Sequence, residues 1–290
     1  PVKWVEDRQE NMVTFHGRGH NAEVEAAVKN DGTILGMKVR ICVDLGAYFY
    51  FSTPAAPGIA SERLPGPYRT PAMDVEVLGV ITNRAPTGAY RGAGGPEAAF
   101  FVERTVDLIA RELGLDPAEV RRKNLIQPDA FPYHTPTGVT YDSGDYEKVF
   151  DRALELSEYS TWRERSRQTK QAHEPLIGIG LATVTKGSGA HGERRTDQAR
   201  VVIEPSGQIS AYSGVSPHGQ GTETTFAQIV ADELGVTPSD VQMYHSDTHL
   251  FPSGGGTGAS RGITVGGSAV YTVLQEAREK LVQIASHLLV

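Results

Sequence analysis

The 290-residue sequence contains a single cysteine, Cys42. That excludes an internal disulfide framework, a cysteine-held iron–sulfur cluster and a cysteine-based zinc site. Cys42 falls in the apolar run 39–45, which predicts a small buried hydrophobe. Lys/Arg runs beyond short pairs are missing, and the net charge of −7 argues against a nucleic-acid footprint. No stretch is apolar for long enough to span a bilayer, and the expected location is cytoplasmic. There is no Walker A lysine, and no Gly-x-Gly-x-x-Gly after a first strand with an acidic residue downstream. His16, His20, His134, His173, His191 and His245 show no paired metal spacing, and Asp247-x-His249 is too short a signal, so no metal ligand is assigned. Ser188 and Ser253 lack the spacing of a nucleophile elbow.

What the chain has in excess is glycine. Its 32 glycines exceed the usual share of roughly 7%, and they cluster at turns. Apolar residues at 39% and charged ones at 22% are enough for real cores. The central cluster is Ala85-Pro86-Thr87-Gly88-Ala89-Tyr90-Arg91-Gly92-Ala93-Gly94-Gly95-Pro96-Glu97. It follows an apolar strand and opens an apolar-periodic helix. Glycines there allow positive φ and close approach of a ligand to the backbone. A helix start adds free N–H groups and a positive dipole end suited to an anion. Taken alone, the stretch reads as readily as a tight strand-to-helix connection with Arg91 as a surface charge.

In chain order, Glu23–Val28 and Ile34–Leu45 read as a hairpin about Asn30-Asp31-Gly32. Residues 48–69 read as a loop, with Tyr48-Phe49-Tyr50-Phe51 either lining a substrate funnel or closing a hairpin end. Met73–Ile81 is a strand. The helix from Pro96 stops at Gly114 and restarts at Asp116-Pro117. After an irregular stretch over 127–142, a helix from Asp145 carries Val149, Phe150, Ala153, Leu154 and Leu156 on one face. The charged segment 162–173 marks a domain boundary, giving units 1–172 and 173–290. In the second half, Ile177–Thr185, Ala199–Ile203 and Gln208–Val215 read as strands. The turn Ser216-Pro217-His218-Gly219-Gln220-Gly221 then opens a helix that stops at Gly235 and restarts at Thr237-Pro238. Both halves thus read hairpin, glycine turn, helix, glycine stop, proline start. A third glycine segment, Ser253–Gly262, precedes a last helix over 267–287. Three such turns together predict a large, phosphate-bearing cofactor. The predicted fold class is α+β, two related strand-hairpin-plus-helix units.

Thr82–Glu97 resembles the cofactor loop of the molybdenum hydroxylases, the family of xanthine dehydrogenases, aldehyde oxidoreductases and aerobic carbon monoxide dehydrogenase large subunits. His218-Gly219-Gln220-Gly221-Thr222 is similar to the family's Gly-Gln-Gly motif. Thr257-Gly258-Ala259-Ser260-Arg261 is similar to its third pterin-contacting loop, and Pro1–Arg8 to a segment in the middle of these subunits. The resemblance runs the length of the chain. It implies a molybdenum–pyranopterin cofactor, usually molybdopterin cytosine dinucleotide in bacterial members, whose metal has no protein ligand. It implies oxidation of a C–H bond beside nitrogen or oxygen with water as oxygen source. Electrons would pass to [2Fe–2S] centres and FAD on partner domains or subunits, in an assembly such as a dimer of heterotrimers. By match, Gln220 would bond an oxo group on molybdenum. Arg91, Gly92, Ala93, His218, Gly219, Gly221, Gly258, Ala259, Ser260 and Arg261 would complete the cofactor contacts.

Three departures shape the expectation. Ala93 stands where purine-hydroxylating members carry a stacking Phe. Gly92 stands where carbon monoxide oxidisers carry a copper-bridging Cys. The chain also starts after the family's Gly-Gly-Phe-Gly loop and stops before its Gly-x-Gly-Glu segment, so no catalytic base is assigned and the piece alone is expected to be inactive. The reading is a cofactor-binding part of an aldehyde- or N-heterocycle-oxidising enzyme that needs the rest of its molybdenum subunit. Its rivals are a cofactor-free scaffold module, the medium subunit of a split hydroxylase, and a carbon monoxide dehydrogenase-like subunit lacking the copper Cys.

Overall fold

The computed structural model describes residues 2–50, 52–172, 175–188, 196–251 and 254–289. The chain divides into two compact units, 1–186 and 187–290.

In the first unit, strands β1 (His20–Val28) and β2 (Ile34–Gly46) form the expected antiparallel hairpin. Strand β3 (Met73–Ile81) joins β2 in parallel. Alternation along β2 buries Met37, Val39, Ile41, Val43 and Leu45, the period of a strand with one face in a core. The same alternation puts Cys42 on the outer face with Lys38 and Arg40. Cys42 is exposed, which corrects the buried assignment: inside a half-buried strand, parity outranks the apolarity of the neighbours.

The crossover from β2 to β3 carries helix α2 (Ala55–Arg63), in a stretch expected to be a loop. Helix α3 (Gly95–Leu113) lays Val102, Val106, Ile109 and Ala110 against the sheet. Gly114 ends it at φ 65°, as expected, and Asp116 caps the restart, α4 (Pro117–Asn124). A short N-terminal helix, α1 (Arg8–Thr14), is held by an Asp7–Glu10 capping box. Tyr133–His134 (β4) and Thr140–Tyr141 (β5) form a small hairpin in the stretch expected to be irregular. Asp145 caps α5 (Tyr146–Leu156). Phe150 is buried, whereas Val149 and Leu156 are exposed, so the face that packs is narrower than expected. Helix α6 (Tyr159–Ala172) covers the charged segment.

Residues 177–185 are not a strand. They run through the first unit's packing without a partner strand among the described residues: Leu181 touches its core and Thr183 Oγ1 donates to Glu103 Oε1 at 2.9 Å.

In the second unit, β6 (Ala199–Ile203) and β7 (Ile209–Ser213) form the second hairpin. Helix α7 (Thr222–Leu234) crosses over to β8 (Val241–His245), parallel to β7. Thr237-Pro238 opens only a 3₁₀ turn, Pro238–Asp240, before β8. A π-helical stretch, Gly262–Gly267, then runs into α8 (Ser268–Leu289). Among the described residues no helix is long and apolar enough to cross a membrane.

Both units therefore run β-β-α-β-α, with a parallel third strand. The repeat read from sequence paired α3 with α7. Topology pairs α2 with α7, and α3 with α8. The loop between β3 and α3 thus corresponds to the loop between β8 and α8, so the first glycine turn is the counterpart of the third, not of the second.

Candidate cofactor-binding loops

Each motif falls on a loop at a helix start, and each loop holds left-handed backbone. Gly92, Ala93 and Gly94 have φ of 93°, 42° and 88°. Gly219 and Gly221 have φ of 101° and 80°, and Ala259 and Ser260 have φ of 49° and 59°. Non-glycine residues avoid this region at a cost of roughly 1–2 kcal/mol each. Of the five non-glycine residues at positive φ among the described residues, three lie in these loops. Such strain persists only where packing imposes it, and it gathers at ligand clamps.

The first loop is pinned from several sides. Asp44 accepts from Gly46 N at 2.9 Å and Thr82 Oγ1 at 2.6 Å, while its carbonyl takes the Thr87 hydroxyl at 3.1 Å. The Thr82 bond foremost holds the Asp44 carboxyl below its ordinary pKa. Thr53 Oγ1 donates to Thr87 O at 2.6 Å, and His16 bridges Thr87 in parallel. Gly88 has no space for a side chain, because a Cβ would lie 2.5 Å from the Phe15 ring. Arg91 is exposed.

In the second loop His218 N donates to Gln220 Oε1 at 2.6 Å. The Gln220 Nε2 atom reaches Ser216 O at a long 3.4 Å, so its amide folds back on its own loop. Ser246 Oγ donates to Ser216 Oγ at 2.9 Å, and Thr257 Oγ1 to Ser216 O, which ties the second and third loops together. His245 is paired with Glu223 on α7.

In the third loop Arg261 is turned inward. Its Nη1 meets Asp197 Oδ2 and Gly256 O at 2.7 Å each, and Nη2 meets Thr196 O at 2.7 Å. Arg261 and Asp197 are both fully buried in their side chains. The Arg261 side chain braces the loop from inside, and Gly255 is small because a Cβ would collide with its guanidinium.

Two features fit an anionic, backbone-held cofactor. Helices α3 and α7 begin without a side-chain cap, whereas Asp7, Asp116 and Asp145 cap α1, α4 and α5. At α7 the N–H groups of Thr222, Glu223 and Thr224 therefore remain for a ligand; at α3 Gly95 N already donates to Gly92 O at 3.0 Å and Pro96 has no N–H, which leaves that of Glu97. In addition, a Cβ built on Gly219, Gly221, Gly256 or Gly258 meets nothing within 4 Å, so open space fronts these glycines. Among the described residues no three His, Cys, Asp or Glu side chains gather as a metal site.

Matches to known proteins decide the family. Residues 1–125 and 152–290 each match a molybdopterin cofactor-binding domain. The chain belongs to the molybdopterin cofactor-binding family of the molybdenum hydroxylases. It is 38% identical to the carbon monoxide dehydrogenase large chain of Hydrogenophaga pseudoflava, over all of this chain and 38% of the relative. It is 37% identical to the 6-hydroxypseudooxynicotine dehydrogenase complex subunit gamma of Paenarthrobacter nicotinovorans, over all of this chain and 37% of that one. Quinoline 2-oxidoreductase from Pseudomonas putida 86 superposes with a TM-score of 0.89 at 33% identity, covering 99% of this chain and 38% of that chain. The chain thus spans less than two fifths of these relatives. Its cofactor is of the molybdopterin type.

Sequence reasoning missed the residues that brace the loops, because they act across long separations. Beneath the first loop, Glu97 of α3 takes Arg18 Nη1 at 2.7 Å and lies 3.9 Å from His20 Nδ1. The His20 side chain is only 3% exposed, and neither ring nitrogen makes a hydrogen bond among the described residues. Burial pushes its pKa below 6.5; Glu97 opposes that shift and Arg18 adds to it. The unfolded chain therefore takes up a proton near pH 6.5 that the folded chain refuses, so stability falls as the pH drops through this range. Urea midpoints for the first unit, followed by hydrogen exchange, are expected to be lower at pH 5.5 than at pH 7.5, with a smaller difference in His20→Gln.

Proposed function

We propose that this chain is the molybdenum-cofactor-binding part of an oxidoreductase that hydroxylates an aldehyde or N-heterocycle with oxygen from water. The observation that carries the reading is the run of left-handed backbone in all three motif loops. In this reading the first unit supplies the loop at Arg91, Gly92 and Ala93. The second supplies His218, Gly219, Gln220 and Gly221, and then Gly258, Ala259, Ser260 and Arg261. Each loop, taken within its own unit, offers backbone N–H groups to a pyranopterin and its phosphates, here the cytosine dinucleotide form. Arg91 offers an exposed cation for a phosphate. The Gln220 amide, held only through its oxygen and one long contact, would be the side chain able to turn its N–H donors to the cofactor. Arg261 shapes its loop from behind. When bound, the cofactor supplies two-electron oxidation, and the electrons pass to [2Fe–2S] and FAD groups on partner subunits.

Gly92 and Ala93 support this substrate class. Gly92 has φ 93°, and a Cβ there would lie 2.6 Å from the Pro96 ring. A copper-bridging Cys does not fit this loop, which separates the chain from carbon monoxide chemistry despite its similarity to such a large chain. Ala93 removes the aromatic platform for purines. Tyr48, Phe49 and Tyr50, exposed where β2 ends, suit the walls of a funnel for an aromatic substrate. The relatives named for 6-hydroxypseudooxynicotine and quinoline act on substrates of that class. The full-length protein with its partner subunits is to be assayed with a dye acceptor against aldehydes, N-heterocycles and carbon monoxide. Turnover of an aldehyde or heterocycle is expected. Copper-dependent oxidation of carbon monoxide would overturn the assignment.

A further inference from the structure

The segment before β1 lies along the back of the first loop. His16 N donates to Pro86 O and Gly88 N to His16 O, each at 3.2 Å. Gly17 has no room for a side chain, since a Cβ would sit 2.6 Å from Tyr90 Cβ. The next residue, Arg18, grips the loop with three contacts. Nη1 donates to Glu97 Oε2 at 2.7 Å, Nη2 donates to Arg91 O at 2.8 Å, and the guanidinium carbon lies 5.3 Å from the Tyr90 ring centroid. Glu97 sits in the first turn of α3 and is buried. The fork therefore ties the loop to the helix start behind it.

The Arg91 carbonyl belongs to the same peptide unit as the Gly92 N–H. In a trans peptide the two point in opposite directions. Holding the carbonyl toward Arg18 aims the Gly92 N–H away from Arg18, and that N–H makes no hydrogen bond among the described residues. We infer that Arg18 is a positioning residue that presents the Gly92 N–H to the cofactor by fixing the Arg91–Gly92 peptide plane against Glu97. The inference rests on the proposed function above only for the identity of the ligand; the fixed peptide is a property of the chain itself.

A lysine at position 18 keeps the charge but lacks the fork that reaches both acceptors at once. Arg18→Lys and Arg18→Met are to be made in the full-length protein with its partner subunits. In cofactor-free protein, peptides spanning residues 88–95 are expected to exchange amide hydrogens at least tenfold faster in both variants, with α3 protection from Val102 onward unchanged. In loaded protein, pterin release into buffer is expected to be at least tenfold faster in both. Wild-type exchange in the cofactor-free Lys variant would overturn the inference, because it would reduce Arg18 to a charge. A wild-type protein that holds neither molybdenum nor pterin would sink the functional reading, while the cofactor-free exchange arm would still decide the role of Arg18.

Discussion

Arg121→Ala is expected to destabilise the first unit by about 3–5 kcal/mol, the cost of leaving a buried charge without its partner. Arg121 is fully buried in α4. Its Nε meets Glu103 Oε2 at 2.9 Å, and its Nη2 meets Glu103 Oε2 at 2.8 Å, Asp107 Oδ1 at 2.9 Å and Leu181 O at 2.8 Å. Glu103 Oε1 also accepts from the Tyr68 hydroxyl at 2.6 Å. Burial, with help from the Glu103 carboxylate, pushes the Tyr68 pKa up, so that hydroxyl remains a donor. Removing the guanidinium strands the Glu103 carboxylate in the core and frees 177–185 from its anchor at Leu181. Urea unfolding of the full-length protein, read by hydrogen exchange in β2 and α3, should show the first unit opening at much lower denaturant. Unchanged protection there would mean that the cluster is not the hub its geometry suggests. Arg121→Met, which restores packing but not charge, should recover less than half of the loss while Glu103 remains.

Gly94→Ala is expected to abolish ordered seating of the first loop. Gly94 caps α3 at φ 88°, and a Cβ there would run into the carbonyl oxygen of Ala56 and lie 2.6 Å from Ala60 N. Both are backbone atoms of α2, which cannot swing aside as a side-chain tip does. Gly114, at the other end of the same helix, is the internal control. It too is left-handed, at φ 65°, but nothing lies within 4 Å of its added Cβ. Gly114→Ala should cost only about 1 kcal/mol, the price of the left-handed conformation. Gly94→Ala should cost several times that and lose the cofactor. Equal effects at the two positions, measured by unfolding midpoint and pterin content, would show that the α2 contact is immaterial.

How much of this was legible beforehand depends on the range of each signal. Gly114, Asp116-Pro117, Asp145 and Gly235 are local stop and start signals, and the helices obey them. Helix α2 hides behind Pro57 and Gly58, and β8 is only five residues long, so the crossovers that define the repeat were not visible. The Ile177–Thr185 stretch alternates like a strand, yet what it supplies is a carbonyl to Arg121 and a hydroxyl to Glu103. No sequence pattern announces which way a guanidinium points. The inward turn of Arg261 carries no local signal, because its partner Asp197 lies 64 residues away. Arg18 and Glu97, 79 residues apart, were invisible for the same reason.

The most direct test of the central claim is the molybdenum and pterin content of the full-length protein, made with its partner subunits in a host proven to load a related enzyme. The account predicts one molybdenum and one releasable pterin per chain, both lost when Gly219 and Gly221 are replaced by Val. Protein that is folded and assembled but free of both would contradict it, and would make this fold a scaffold that has given up its cofactor.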